Sequence, residues 1–461
     1  MSRPATTHDL IGIGLGPFNL GLACLGHPLD DLDAVFLEAA DGFSWHPGMM
    51  LPDATLQVPF LADLVTMADP TSPFSYLAFL KDVGRLYPFY IRESFYPLRR
   101  EYDDYCRWAA ERLDTVRWGE RVVAVEHDGD AYVVRSATGR TWRGRHLALG
   151  TGTAPRMPFD VDGPALHSAD YLSRKDDLLA SGSVTVVGSG QSAAEVYADL
   201  LAEQEHHGFE LTWVTRSPRF FPMEYTKLTL EMTSPEWSSY FQALPAPRRA
   251  EAQRGQAALS KGISSETINA IYDELYRREA SGGVDTTLLT ATEVTTARWD
   301  GERYTLDLRH TEQQATGALR TDSLVLATGY APRVPEFLQP VRDRIRWDEQ
   351  GRFLAGPTFA VDHADAEVFV QNAEEHTHGF VAPDLGMGAM RSSVILSQVL
   401  GREPYAVEKR IAFQEWGIPD RYRDQAAPPV EASPPLVEGR AQRHPLVEER
   451  AQRASRDQVS R

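Results

Sequence analysis

Near its start the chain carries a short apolar run after Asp9, 10–13, that breaks at Gly14-Leu-Gly16-Pro-Phe-Asn19 and resumes at helical spacing. That pattern predicts a strand over 9–13, a tight turn, and a helix over 17–26. The pattern recurs in mid-chain. The β-branched run 184–187 breaks at Gly188-Ser-Gly190-Gln-Ser-Ala193 and continues as a helix. A further strand, 34–37, ends on Glu38. Residues 43–73 show neither period. They are rich in aromatics and proline, and long for a plain connection, which marks a functional loop. Over 74–113 the pattern predicts helices, with Tyr102, Tyr105, Cys106, Ala109 and Leu113 in the core. Residues 121–146 alternate as a meander. Residues 235–280 read as polar helices with Tyr272, Leu275 and Tyr276 on one face, and 284–310 as short strands. From about 426 the chain is Pro-, Glu- and Arg-rich and repeats Pro435-Leu-Val-Glu as Pro445-Leu-Val-Glu. A disordered, non-catalytic tail is expected over 426–461.

The segments 147–158 and 324–335 echo each other: an apolar strand, a Thr-Gly turn, then Ala-Pro-Arg. A simple account has the chain leave a first domain after one copy and re-enter it at the other. The fold class is then α/β, with two Rossmann-like dinucleotide-binding domains and a small, mostly helical substrate region. The first domain covers 1–175 and 324–425. The second covers 176–323, with the helical insertion at about 235–280.

With 461 residues the chain can hold two or three domains. A formal charge of −18 argues against nucleic acid as a partner. It suits a small cationic substrate, or serves solubility alone. Cys24 and Cys106 are the two cysteines and form no C-x-x-C. That excludes a disulfide framework and a zinc ribbon, and argues against a flavin disulfide reductase. No stretch reaches membrane-spanning length, and residues 1–8 lack the apolar and basic regions of a secretion signal. A cytoplasmic protein without a membrane partner is expected.

Each glycine turn lets backbone N–H groups approach a pyrophosphate at a helix N-terminus. In the first, Gly14 and Gly16 are followed by Pro17, which suits the first helical turn, and by Asn19 where a third glycine is usual. Glu38 stands where an acid holds a ribose hydroxyl. In the second, Gly188 and Gly190 are followed beyond the next strand by Arg216 and Ser217, not by an acid. A basic residue with a hydroxyl neighbour suits the 2′-phosphate of NADP. The alternative is that Arg216 and Arg219 are simply solvated.

Several strings together carry a resemblance. They are Phe43-Ser-Trp-His-Pro-Gly-Met49, Leu56-Gln57, Asp63-Leu-Val65, Pro70-Thr-Ser-Pro73, Gly188-Ser-Gly-Gln-Ser-Ala193, Ala327-Thr-Gly-Tyr330 and His376-Thr-His-Gly379. This set resembles the N-hydroxylating flavoprotein monooxygenases, the lysine, ornithine and diamine N-hydroxylases of hydroxamate siderophore biosynthesis. The likeness runs from about residue 8 to 417.

The resemblance implies FAD at the first turn, NADPH at the second, and a homotetramer. NADPH would reduce FAD, O2 would give a C4a-hydroperoxide protected by NADP⁺, and a terminal amine would take the distal oxygen. It places Trp45, His46, Met49 and His378 by the flavin, Thr328, Gly329 and Tyr330 among the cofactor-binding residues, and Gln191 and Ser192 at the second turn. Gln57 lies near both flavin and substrate, and Asp384 just beyond the flavin loop. His46 is alternatively a core histidine. His376 and His378 lack a third ligand, so no metal is expected. The amine must be neutral to react. Its unperturbed pKa is about 10.4, so neutrality near pH 7.5 costs about 4 kcal/mol. Burial against the 43–73 stretch can supply much of that.

Amino-acid hydroxylases of this kind carry a lysine at the position of Ala62, an asparagine in the loop of Met223 and Glu224, and a serine at Gly386, after Leu385. The lysine pairs with the substrate carboxylate. A buried carboxylate without such a cation is costly. A substrate without a carboxylate fits better: a diamine such as putrescine or cadaverine, its second ammonium held by Glu224, Glu231 or Asp384, each of which is alternatively a surface carboxylate. Lysine or ornithine is the alternative substrate. A non-catalytic flavin redox sensor is the alternative of a different class.

Overall fold

The strands alternate with helices in the order that the hydrophobic runs predict. The first region holds β1 (Thr7–Ile13), β2 (Ala34–Leu37), β3 (Val116–Arg117), β4 (Val122–His127), β5 (Tyr132–Ser136) and β6 (Thr141–Leu149). Short strands β7 (Thr153–Pro155) and β8 (Leu166–His167) follow, then β9 (Ser183–Val187), β10 (Glu210–Val214) and β11 (Thr286–Leu289). β12 (Thr292–Trp299), β13 (Tyr304–His310), β14 (Thr316–Thr321), β15 (Ser323–Leu326), β16 (Tyr330–Pro332) and β17 (Val368–Val370) complete the set in this computed structural model, which describes residues 7–423.

The first sheet runs β3-β2-β1-β6-β5-β4, with β17 also paired to β6. β1 lies parallel between β2 and β6, in the register Ile11↔Val35 and Ile11↔Leu147. β4, β5 and β6 form the expected antiparallel meander. The second sheet runs β11-β10-β9-β15-β8, with every pairing parallel. All five residues of β9 are buried, as a continuous β-branched run in a two-sided parallel sheet requires. β12, β13 and β14 form a separate antiparallel sheet.

The structure corrects the simple account of the echo. β15 does not open the return to the first sheet. It pairs with β9, Val325 opposite Val186. Each echo segment thus ends a central strand of its own sheet. The two tails then meet as an antiparallel ribbon, Tyr330 opposite Pro155 and Pro332 opposite Thr153. The passage between the sheets is therefore a paired crossing just after the Thr-Gly turns.

Tyr102, Tyr105, Cys106, Ala109 and Leu113 are all buried, as their spacing predicts. The 235–280 region folds as helices Pro235–Ala243, Ala246–Gly255, Ala257–Ser260 and Ser265–Ala280. The face predicted on the last helix is split. Leu275 packs beside Ile268 and Ile271, whereas Tyr272 and Tyr276 are exposed. The helix Leu86–Arg92 buries none of its residues. One compact unit spans Met1–Trp416, and the described part of the remainder holds a 3-10 turn, Asp420–Tyr422. The tail expected over 426–461 lies outside the described residues. No helix among the described residues is long and apolar enough to cross a membrane.

Candidate functional site

The first glycine turn is held from behind. Gly14 has φ +83°, and a Cβ there would lie 2.6 Å from the Gly150 carbonyl oxygen, so the position admits only glycine. Asn19, in the third-glycine position, is fully buried. Its Nδ2 donates to the carbonyls of Gly14 (2.7 Å) and Ala148 (3.1 Å), and its Oδ1 accepts from Gln371 Nε2 (2.6 Å). Asn19 therefore shapes the turn and clamps it to β6. Pro17 opens the helix Pro17–Gly26 and Gly16 caps it, with nothing within 4 Å of where its Cβ would stand.

A cavity of about 370 Å³ lies on this turn, lined by Gly14, Gly16, Glu38 and Gly150-Thr-Gly152 among others. Glu38 Oε2 accepts from the Leu15 N–H (2.7 Å) and Oε1 from the Ala40 N–H (2.9 Å). Each oxygen keeps a lone pair for a hydroxyl. Phe43 and Ser44 line this cavity, whereas Trp45, His46 and Met49 do not. Residues 150–152 were missed as site residues, although their Thr-Gly turn is visible in the sequence.

Trp45, His46 and Met49 lie instead at the crossing between the sheets. The His46 ring packs against Trp45 (4.8 Å) and Tyr330 (5.7 Å), and Tyr330 against His167 (5.1 Å). Enclosure, and then the positive charge of Arg99, push the His46 imidazole down to about 4, although the residue keeps solvent access. Arg99 donates to the Met49 carbonyl (2.7 Å) and makes two bonds to the Glu195 carboxylate, 2.8 and 2.9 Å. Glu195 is on the helix of the second turn, so this pair ties the two glycine sites together. Local sequence gave no signal for it. Both side chains are mostly buried. Arg99→Met leaves Glu195 buried without its cation and is expected to lower stability by about 3 kcal/mol. Urea unfolding measures this, and an unchanged midpoint contradicts it.

At the second turn a Gly188 Cβ would lie 2.3 Å from the Ala327 carbonyl oxygen, and Trp213 Nε1 donates to the Gly188 carbonyl at 2.9 Å. Gly190 caps the helix Gln191–His207. Gln191 is spent inside the protein. Its Oε1 accepts from the Ser264 N–H, and its Nε2 donates to Glu195 and Thr267. It is a brace rather than a free ligand group. Ser192 is half-buried in the first turn of that helix. Ser217 accepts at its carbonyl from the Ala291 N–H. Arg216 and Arg219 are exposed and make no hydrogen bond or ion pair among the described residues, which leaves two cations free beside the turn. Thr328 Oγ1 donates to the Arg156 carbonyl, and the Gly329 carbonyl accepts from His167 Nε2. Both serve the ribbon.

The residues expected at the substrate do converge. A Cβ on Gly386 would lie 3.7 Å from the Ala62 Cβ and 3.1 Å from Asp384 Oδ1. Leu385 packs on the same core as the 56–65 stretch. Tyr225, which sequence reasoning missed, donates to the Gln57 carbonyl (2.9 Å) and lies 4.0 Å from the Met223 sulfur. Burial, and then Tyr96 and Asp384, push the Tyr225 hydroxyl up, so it stays protonated. Gln57 Nε2 is buried and has no protein partner. A buried donor left over marks a place where a ligand or water completes the site.

The candidate anions separate. Glu231 accepts from the Phe413 N–H (3.0 Å), the Gln414 N–H (3.1 Å) and Gln414 Nε2 (3.0 Å), so it is engaged in fastening that segment. Glu224 is exposed. Asp384 is half-buried, and burial pushes its carboxyl up.

His378 is buried, stacks on Phe359 (4.6 Å) and bonds through Nδ1 to Thr377 Oγ1 (2.9 Å). Burial and the nearby Arg391 push it down to about 3. The unfolded imidazole takes a proton near pH 6.5, and the folded one resists until about 3. Its contribution to stability is therefore complete above pH 6.5 and shrinks as pH falls towards 3. At pH 5 this loss is about 2 kcal/mol. Urea titrations at pH 7 and pH 5 are expected to show His378→Gln losing less stability on acidification than the wild type. Equal losses contradict the assignment.

Two glycine turns on separate sheets, joined by a paired crossing beside an aromatic cluster, define an oxidoreductase fold of the two-dinucleotide kind. More narrowly, the chain belongs to the L-lysine 6-monooxygenase/L-ornithine 5-monooxygenase family, whose profile matches residues 6–332. It is 44% identical to the putrescine N-hydroxylase of Shewanella oneidensis, over 93% of this chain and 88% of that one. Among solved structures it resembles DfoA bound to FAD, the cadaverine monooxygenase of desferrioxamine biosynthesis from Erwinia amylovora. Identity there is 50% and the TM-score 0.85, covering 89% of this chain and 98% of DfoA. An ornithine N-hydroxylase from Kutzneria, with reduced FAD, NADP⁺ and L-ornithine, is 29% identical with a TM-score of 0.80, over 86% and 99% of the two chains.

Proposed function

We propose that the chain hydroxylates one amine of a diamine, putrescine or cadaverine, using FAD, NADPH and O2, in hydroxamate siderophore biosynthesis. The observation that carries the substrate is the corner of Ala62, Gly386 and Asp384. It offers a carboxylate, and its nearby cation, Arg391, is ion-paired with Glu374, where an amino-acid substrate needs a cation for its own carboxylate. The relatives that act on putrescine and cadaverine support the same reading.

The residues fit both cofactors. The FAD pyrophosphate would lie over Gly14 and Gly16, with Glu38 on a ribose, in the cavity they line. Gly188, Gly190 and Ser192 would receive the NADPH pyrophosphate, with Arg216 and Ser217 on its 2′-phosphate. On this reading residues 1–175 and 324–425 serve FAD and 176–323 serve NADPH, with the exit moved ahead of Leu166 and the return past Leu326 by the pairing of β8 with β15 in the second sheet. FAD supplies the activation of O2. The protein's own part is to keep water out, keep the reacting amine neutral and hold it. The buried residues Phe43, Leu56, Ala62 and Leu64 make the 43–73 stretch apolar, and an amine held against it is favoured in its neutral form. Gln57 Nε2 offers an unpaired donor.

The enzyme would work in the cytoplasm, where NADPH is supplied, as a homo-oligomer of the tetrameric kind. The exposed apolar face Tyr87, Tyr90, Ile91 and Phe95 supports self-association.

The test is coupling. Purified enzyme with either diamine is expected to form one hydroxylamine for nearly every NADPH consumed. NADPH oxidation with no hydroxylamine from putrescine, cadaverine, lysine or ornithine sinks the hydroxylase reading and favours a redox sensor.

A further inference from the structure

We infer that Asp384 is the seat of the distal ammonium, the end of the diamine that is not hydroxylated. This rests on the diamine reading above and names the group that selects for it.

The inference starts from charge. Arg391 is buried and lies 3.1 Å from the buried Glu374, with its Nη2 donating to the Ala382 carbonyl at 2.7 Å. Its guanidinium is also sandwiched by Phe18 (4.7 Å) and Phe359 (5.5 Å). Its ion pair is with Glu374, although its Nε and Nη1 make no hydrogen bond. His378 and His376 are both pushed down by burial and add no positive charge near neutral pH. Asp384 is thus a second carboxylate beside a single cation, Arg391, whose ion pair is with Glu374. An enclosed carboxylate in excess of its cations is costly unless a cation arrives.

Geometry says where that cation comes from. Asp384 Oδ1 accepts from the Gly386 N–H at 2.7 Å and caps the short turn Leu385–Met387. Its other oxygen has no hydrogen-bond partner among the described residues and keeps solvent access. That oxygen is open to a ligand. Gly386 abuts Ala62, and Tyr225, which Asp384 influences, bonds to Gln57. The carboxylate therefore shares one recess with the residues that meet the reacting end. The rival anions are less well placed: Glu231 fastens residues 413–414, and Glu224 is exposed to solvent.

The capping role must be separated from the charge. Asn and Ser both accept the Gly386 N–H, so Asp384→Asn and Asp384→Ser keep the cap and remove the charge. kcat/KM is measured for cadaverine and for 5-amino-1-pentanol, which has the same chain with a neutral far end, with flavin content as the folding control. For cadaverine both variants are expected to lose about 100-fold, as when one member of a buried charge pair is removed. For the amino alcohol the change should stay within about threefold, so the preference for the diamine collapses. Equal losses on both substrates, or undiminished cadaverine turnover, overturn the inference. A wild type that hydroxylates no diamine overturns the proposed function, and this inference with it. A wild type that does so beside a neutral variant that does so equally well overturns this inference alone.

Discussion

Ala62→Lys is expected to lower kcat/KM for putrescine and cadaverine by roughly two to three orders of magnitude. Ala62 is buried and its methyl faces Gly386, in the recess shared with Asp384. A lysine there brings an ammonium to the end of the pocket where the substrate's own ammonium must sit. Like charges brought together in such a place cost several kcal/mol. The new lysine would also take Asp384 as its partner and remove the anion from use. Ala62→Met adds a chain of similar length without charge and is expected to lose far less. The check is steady-state hydroxylamine formation by both variants with each diamine. Equal losses in the two would mean that volume, not charge, decides. Undiminished diamine turnover in Ala62→Lys would mean that position 62 does not face the substrate.

The second large effect is expected at the first glycine turn. Gly14→Ala should yield protein with at least about tenfold less bound flavin, read from the ratio of flavin to protein absorbance. The methyl would press on the Gly150 carbonyl oxygen at 2.6 Å and would hold an alanine at φ +83°. The turn cannot move away, because Asn19 ties the Gly14 carbonyl to β6 and Gln371. Gly16→Ala is the informative companion. Its methyl meets no protein atom within 4 Å, so the empty fold tolerates it, and any flavin loss there reports the approach of the ligand alone. A full flavin complement in Gly14→Ala would contradict the placement of FAD at this turn.

Much of the architecture was legible from local pattern. The turns at Gly14 and Gly188, the helix Pro17–Gly26 and the strand Ala34–Leu37 follow from apolar runs broken by glycine. The buried face of Arg99–Ala110 follows from three- and four-residue spacing. What was not legible depends on partners distant in sequence. Arg99 and Glu195 are on separate predicted helices, and nothing in either segment announces their pairing. Glu231 looked available until the 413–414 backbone was seen to occupy it. Asn19 looked like a substituted glycine and proved to be a clamp. The echo at 147–158 and 324–335 was visible, but its meaning lay in strand pairing, which period alone cannot specify. Tyr225 was passed over because a tyrosine in a polar loop carries no signal until its hydroxyl is seen on the Gln57 carbonyl.

The alanine at position 62 and the open carboxylate of Asp384 point the same way: the amine between the two cofactors carries no carboxylate. Competition measures this directly. Enzyme, NADPH and air-saturated buffer are given equimolar putrescine, cadaverine, lysine and ornithine, and the products are identified by mass. N-hydroxyputrescine or N-hydroxycadaverine should account for nearly all of the product. N-hydroxylysine or N-hydroxyornithine as the main product would contradict it.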